Sequence, residues 1–457
     1  MRRLLLFSGN VIDKIVNTFK ARVLADSGMF EGESYLKTFI ASLKNLGIYN
    51  LASLIITPNA YKTSKWYAFL GTDTTFTRNS TANINNSLGV IEARGIHVPL
   101  LDYGLSANPC LMLEPSMTNY IKNSSDLTQS NWIKFAATIG SNVITAPDGT
   151  ATMDKVVATN SASTYRGVCQ GTNVVGLSTT IVYSGYFSAG EYTKIHFGDQ
   201  SAGRINVAFN LATGVLISSA GAGYISSSIV LIPNTTIYRI SIKCSTDSTT
   251  NHISPIVTGY PNTGATLNTF GCQYAGDGTS GLYMWGQQLT IGDFITSYIP
   301  TGAATVTKVA DVYSLSSISA MAVGTVFIHL INNIPLSCAG THTYGVLNLA
   351  VGTGYPGIAG LSISRSNNTR AKIWNRVLGS ILYATTADDC KLAITFDGTY
   401  ANVWQNGTKV VSNLAFTGSG FTDLFTSASL ETPYYIQDGI VLVPSILSDS
   451  ICVTLTT

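Results

Sequence analysis

The chain has 457 residues, and 26 Lys and Arg against 24 Asp and Glu leave a net charge of +2. Charged residues make up only 11% of it, where a soluble globular chain carries roughly 25%, while 45% hydrophobic and 10% aromatic residues exclude a disordered chain. Apart from Arg2-Arg3 no basic residues adjoin, which excludes a nucleic-acid binder that grips phosphates through clustered Lys and Arg.

The missing polarity comes from Ser, Thr, Asn and 42 Gly, neutral residues suited to strands and tight turns. Met1-Arg2-Arg3-Leu4-Leu5-Leu6-Phe7 begins like a signal peptide, but the apolar run stops at Ser8-Gly9-Asn10. No secretion signal is expected, and no apolar run approaches the roughly 18 residues of a membrane span. Seven scattered cysteines without a C-x-x-C fit buried free thiols of a protein made in a reducing cytoplasm.

In chain order, the stretch Val11 to Leu24 reads as a helix or a strand. Leu36, Phe39, Ile40, Leu43 and Leu46 recur every three or four residues from Glu33, which predicts an amphipathic helix capped by Gly47. Pro58-Asn59 is expected to end an element and Trp66 to Leu70 to form a short buried strand. From Phe76 to Pro115 turn chemistry recurs every few residues, as in an extended connector. Beyond Thr118 alternation dominates. Val207, Phe209 and Leu211, then Thr213-Gly214, then Val215-Leu216-Ile217 predict a hairpin; Tyr238, Ile240 and Ile242 predict a strand, and Gly281 to Trp285 a strand apolar on both faces. A second alternating segment starts near Asp311, with Val326, Ile328 and Leu330, then Leu392, Ile394 and Phe396. Asp397-Gly398 and Asn406-Gly407 mark two successive hairpin turns. The fold class expected is mainly β, two antiparallel jelly-roll sandwiches after a small α+β N-terminal region.

Chemical motifs are thin. Gly352-Thr353-Gly354-Tyr355-Pro356-Gly357 fits G-x-G-x-x-G, but Pro356 and the strand-like Leu361 to Ser364 favour a plain loop. Cys338 and His342 have ligand-like spacing without a second pair, and His97, His196, His252 and His329 stand far apart. Asp388, Asp389 and Asp397 occupy turn positions that Asp favours for backbone reasons. No catalytic residue, metal or cofactor is expected. Trp132, Trp374 and Trp404 are candidate sugar-stacking platforms, with Trp285 and Trp404 read as core residues of their strands. Trp374, between Lys372 and Arg376, is expected to be partly exposed.

Three groups of residues carry a resemblance. They are Phe76-Thr77-Arg78-Asn79-Ser80-Thr81 with Gly89-Val90-Ile91-Glu92, Val98 to Tyr103 with Leu113-Glu114-Pro115 and Thr118-Asn119, and Gly276 to Gly286 leading to Thr296 to Thr301. These resemble bacteriophage tail- or head-fibre proteins of the receptor-binding type, which share runs of the form FTRxST, GxIE, VPRLDY and LLEPxxTN. Leu100 stands where that pattern carries Arg. Arg22 to Phe39 is similar to the N-terminal region of such proteins, and Ala393 to Gly398 with Val403 to Gly407 looks like the paired strands of laminin-G or concanavalin-like sandwiches.

The resemblance implies a virion-attachment region over 1–75, a connector over 76–117, a carbohydrate-binding-module-like jelly roll over 118–310 and a laminin-G-like sandwich over 311–457. It implies a non-enzymatic structural protein of the virion, made in the bacterial cytoplasm. Its expected partners are copies of itself in a homotrimer, other capsid or tail proteins, and a host surface glycan; neither nucleic acid nor membrane insertion is expected. Trp374, Asn375 and Arg376 are the expected glycan contacts, and Leu36, Phe39, Ile40 and Leu43 the expected attachment face. Two other readings stand beside this one: a decoration or adaptor protein that binds only other virion proteins, and a depolymerase that cuts host polysaccharide.

Overall fold

Alternation along a strand sends successive side chains to opposite faces, so the apolar set of each alternating segment settles which face is buried. The computed structural model describes residues 33–62, 65–70, 74–104, 108–171, 173–200, 203–331, 345–350, 359–366, 369–375, 380–417, 421–425 and 434–457. The stretch Val11 to Leu24, the pair Cys338 and His342, the Gly352 to Gly357 loop and Arg376 lie outside the described residues, as do the side chains of Leu36 and Asn375. The fold is mainly β, with antiparallel sheets, as expected. It divides into two compact units. The first combines the described residues up to Thr81 with Arg94–Ser116 and Val309–Thr457, and the second combines Ala82–Ala93 with Met117–Lys308.

The second unit is a sandwich. One sheet runs in the order Ala137–Ile144, Met153–Ala158, Gly281–Ile291, Thr180–Ala189, Ile237–Ser245, Tyr224–Leu231. The other includes Val215–Ala220, Asn206–Asn210, Lys194–Asp199, Pro255–Tyr260 and Ser161–Gln170, in that order. Tyr183, Phe187, Ile240, Ile242 and Leu282 from the first meet Phe197, Val207, Phe209 and Val257 from the second in one core. The predicted hairpin is present, with Val207 paired to Ser219 and Gly214 in the left-handed region at φ 68°. Gly281–Ile291 is covered on both faces, as its composition predicts: Leu282 and Met284 enter the central core, while Trp285 packs with Tyr186 and Tyr298 behind the sheet.

The first unit is built on one large antiparallel sheet in which Leu54–Lys62 lies between Lys65–Leu70 and Tyr434–Val443. Beyond Tyr434–Val443 come Gly324–Ile331, Asp389–Phe396, Tyr400–Gln405 and Thr408–Ala415. In the other direction the sheet runs through Thr74–Thr77, Val312–Met321, Phe421–Phe425, Gly345–Ala350, Ala359–Ser366, Thr369–Asn375 and Ser380–Thr385. One face encloses Val326, Ile328, Leu330, Leu349, Ile363 and Leu392. Near the two ends of the sheet the Tyr383 hydroxyl donates to Gln405 Oε1 at 2.5 Å. The two predicted turns close hairpins between Asp389–Phe396, Tyr400–Gln405 and Thr408–Ala415. Asn406 and Gly407 both have positive φ, at 45° and 79°, the conformation that makes Asn-Gly a hairpin signal.

Three expectations are corrected here. Residues 54–77 do not form a separate N-terminal region, because their strands are interior members of the first unit's sheet; Pro58 is accommodated inside Leu54–Lys62, where the pairing with Lys65–Leu70 shifts register between Ile56 and Tyr61. The segment 76–117 is not an extended connector. It contributes strands to both units, among them Ala82–Asn85 paired with Ile91–Arg94 in one and Leu100–Asp102 paired with Cys110–Leu113 in the other. Helix Glu33–Asn45 forms as predicted, with Gly47 at φ 73°, but Ile40 and Leu43 are already buried. They pack with Ile55, Phe327, Val441 and Trp404 on the sheet's outer face, and Phe39 stacks 6.0 Å from Phe327. Ile40 and Leu43 are therefore covered by their own chain instead of presenting an attachment face. A C-terminal helix, Asp449–Thr456, adds Cys452 and Leu455 to the same cover.

Arg78 joins the three chain segments of the first unit. Its guanidinium meets Asp311 Oδ1 at 2.9 Å, donates to the carbonyls of Ser80 and Gly95, and is fully buried together with its partner. The other oxygen of Asp311 accepts the Glu114 N–H at 2.8 Å. Leu100, where the fibre pattern has Arg, is buried in a short strand. All six described cysteines are free and buried, as expected.

Asp311→Asn or Arg78→Met should lower the unfolding free energy by about 3–5 kcal/mol, since each leaves a buried charge unmatched, and replacing both by apolar residues should recover much of that loss. Denaturant titration of the three variants checks this. Trp404→Ala, a large-to-small change in the helix-covered core, should cost about 3–5 kcal/mol in the same assay. Deleting the residues before Phe76 removes a helix and two interior strands, so the truncated chain should lose the cooperative unfolding of the first unit; a truncation with unaltered thermal unfolding would overturn this account of the sheet.

Candidate functional site

Trp374 lies on Thr369–Asn375, a strand whose Ile373 points into the core and whose Lys372 and Trp374 therefore share the outer face. The Lys372 ammonium sits 4.1 Å from the Trp374 ring centroid, a cation–π contact, and the indole is half-buried. Its cross-strand neighbours are Ser362 and Ile381, and Ser362 donates to Asn348 Oδ1 at 2.8 Å. The strand thus presents a half-buried aromatic ring with a cation beside it, while Ser362 and Asn348 on the neighbouring strands are fully buried. Of the other tryptophans weighed as platforms, Trp132 is buried with its indole N–H donating to the Asn123 carbonyl, and Trp404 is buried beneath the helices.

Sequence reasoning missed a second cluster. His329 projects from Gly324–Ile331 on the face opposite to Ile328 and Leu330. Its Nε2 lies 2.6 Å from Asp389 Oδ1, and its Nδ1 lies 2.8 Å from Asp438 Oδ2. A bulge creates the second contact. Ile328 pairs with Ile440 and Leu330 with Ile436, so Gln437, Asp438 and Gly439 stand opposite the single residue His329. Gly439 makes the bulge feasible, because at φ 121° a Cβ there would collide with the Ile56 carbonyl oxygen. The side chains are 5% exposed at His329, 14% at Asp438 and 68% at Asp389.

Both imidazole nitrogens are engaged by carboxylates, so the ring has no free lone pair for metal binding or base catalysis while these contacts hold. Among the described residues no His, Cys, Asp and Glu group is arranged to hold a metal ion. What the cluster can do is retain a proton. Burial pushes the Asp438 carboxyl up to about 7, and burial pulls His329 below its ordinary 6.5 against the opposing hydrogen bond from Asp389. The nearby thiols are inert: burial raises both Cys110 and Cys390 to about 12. The sequence signal for this cluster was slight, since Asp389 reads as a turn residue and the two contacts span 60 and 109 positions.

No protein-family model and no curated protein matches the chain. Among solved structures it is similar to a sialidase of Trypanosoma rangeli in complex with 2,3-difluorosialic acid, at 9% identity and a TM-score of 0.24, over 66% of this chain and 60% of that one. A second sialidase structure from the same organism matches at 9% identity and a TM-score of 0.25, over 84% of this chain and 77% of that one. The N-terminal CBM22-1-CBM22-2 tandem domain of Paenibacillus barcinonensis Xyn10C matches at 9% identity and a TM-score of 0.24, over 72% of this chain and 98% of that one. The chain thus spans 60% of the length of the first sialidase it matches. Against the expectation of a chain without catalytic activity stand the sialidases among these matches, which are enzymes; likenesses this slight assign the chain no reaction.

The proton cluster has a pH signature. Folded Asp438 keeps its proton up to about 7, well above the roughly 3.9 of an unfolded Asp, so its contribution to stability falls as pH rises through that window. Folded His329 gives its proton up below 6.5, which works in the opposite direction, but only up to 6.5. Between pH 6.5 and 7 the Asp438 contribution stands alone, and thermal stability should fall with rising pH. Asp438→Asn should flatten that slope in calorimetric scans; an unchanged slope would remove the cluster from the explanation.

Proposed function

We propose that the chain is a phage virion protein of the fibre or spike type, presenting its β-sandwich units for adhesion to a host surface glycan, with copies of itself and other capsid or tail proteins as partners. The observation that carries this reading is the place of the motif residues. Arg78 and Glu114, two members of the runs that resemble fibre proteins, meet at Asp311 in the buried junction of the first unit. A motif used in this way is a folding requirement of the whole sheet, which supports a shared architecture as the source of the resemblance. The buried free cysteines support synthesis in a reducing cytoplasm.

Within that reading the glycan contact is the outer row around Trp374, with Lys372 beside the ring and Asn375 and Arg376 following in sequence. Sugars present C–H faces that pack on aromatic rings and hydroxyls that accept from amide and cationic donors. A single such site is weak, and several copies on one particle act together through their high effective concentration.

A printed array of bacterial surface polysaccharides, probed with the full chain, should show binding that Trp374→Ala weakens several-fold while thermal stability changes little. Binding untouched by the substitution would place the contact elsewhere. Release of reducing ends in the same incubations would assign cleavage as well as adhesion, and absence of the chain from purified particles would overturn the virion reading.

A further inference from the structure

Between Arg204 and Arg239 the sequence contains no charged residue. This segment holds both edge strands on one side of the second unit's sandwich: Val215–Ala220 ends one sheet and Tyr224–Leu231 ends the other. Neither has a further strand partner among the described residues. Every residue of Val215–Ala220 is exposed. Val215, Leu216, Ile217, Ile225, Val230 and Leu231 stand out to solvent, with Val215 at 56% and Val230 at 59%. Sheet edges are ordinarily guarded by Lys, Pro or an inward charge, because an open apolar edge invites pairing with another chain. Here that protection is absent over two consecutive strands.

We infer that this edge is a contact between copies of the chain, the two edge strands within Val215–Leu231 of one packing against the same two strands of another. The charge pattern selects that occupant. When identical surfaces meet about a symmetry axis, each group near the axis faces its own copy, so any charge would be repelled by itself. A patch of Val, Leu, Ile, Ser, Ala and Gly meets its own image without penalty, and the Ser hydroxyls can both donate and accept across it. A partner of opposite charge would gain nothing from it. The size also fits: a stable interface takes about 20–30 residues from each side, and this uncharged pair of edge strands with the turn between them supplies the greater part of them. The inference deepens the homo-oligomeric part of the reading above and does not depend on glycan binding.

Sedimentation velocity on the full chain tests it. The wild type should sediment as an oligomer, and Leu216→Lys with Val230→Lys should shift it to monomer with unchanged circular dichroism, since both side chains already face water. Leu414→Lys, at an exposed position of the first unit, should leave the oligomer intact. Ile217→Cys should form an interchain disulfide on mild oxidation that the wild type does not form. An oligomer indifferent to the paired lysines overturns this interface while leaving self-association standing; a monomeric wild type overturns both.

Discussion

A buried guanidinium must be met by acceptors on each of its donors, and that demand organises the first unit. Arg78 belongs to the first of its three chain segments, Gly95 and Glu114 to the second, and Asp311 to the third. Each segment alone would leave a charge or an N–H unsatisfied in a low-dielectric interior. The pair therefore acts less as net attraction, which desolvation largely offsets, than as a condition on assembly. Mispaired arrangements of the same strands would bury a charge without its partner, a cost large enough to exclude them. A sheet that mixes strands from residue 54 to residue 443 needs such a condition, because alternation by itself accepts many strand orders.

That distinction explains what the sequence discloses. Local chemistry is legible: Asn406-Gly407 forms its turn because both residues take positive φ, and Gly281–Ile291 is covered on both faces because it is apolar on both. The helix from Glu33 is legible from its spacing, but its destination is not, since an apolar stripe says nothing about whether a partner or its own sheet covers it. Strand adjacency was illegible for the same reason. Leu54–Lys62 pairs with Tyr434–Val443 nearly four hundred residues away, and no local pattern in either strand names the other.

The His329 cluster lay beyond sequence reasoning because a bulge makes it. A regular ladder would set one residue opposite His329; the extra residues around Gly439 turn Asp438 inward instead. Its carboxyl and the imidazole then share a low-dielectric site, and burial there disfavours the charged form of each. Asp389, bonded to the far side of the ring, is itself largely exposed to water while the ring is not. Trp374 shows the converse case. Its position among polar residues was readable, but the cation over its ring comes from the two-residue period that puts Lys372 on the same face.

Low charge links these features. A chain that carries few charges must obtain solubility from Ser, Thr, Asn and backbone, and it loses the usual means of guarding sheet edges. In the first unit the terminal strands Ser380–Thr385 and Thr408–Ala415 come near each other, with Tyr383 bonded to Gln405 on the strand beside the second, so part of each edge faces the other. In the second unit Val215–Ala220 and Tyr224–Leu231 stay open. Two solutions to one constraint thus occur in one chain, self-closure in the first unit and, in the second, an edge whose neutrality suits it to meet its own copy.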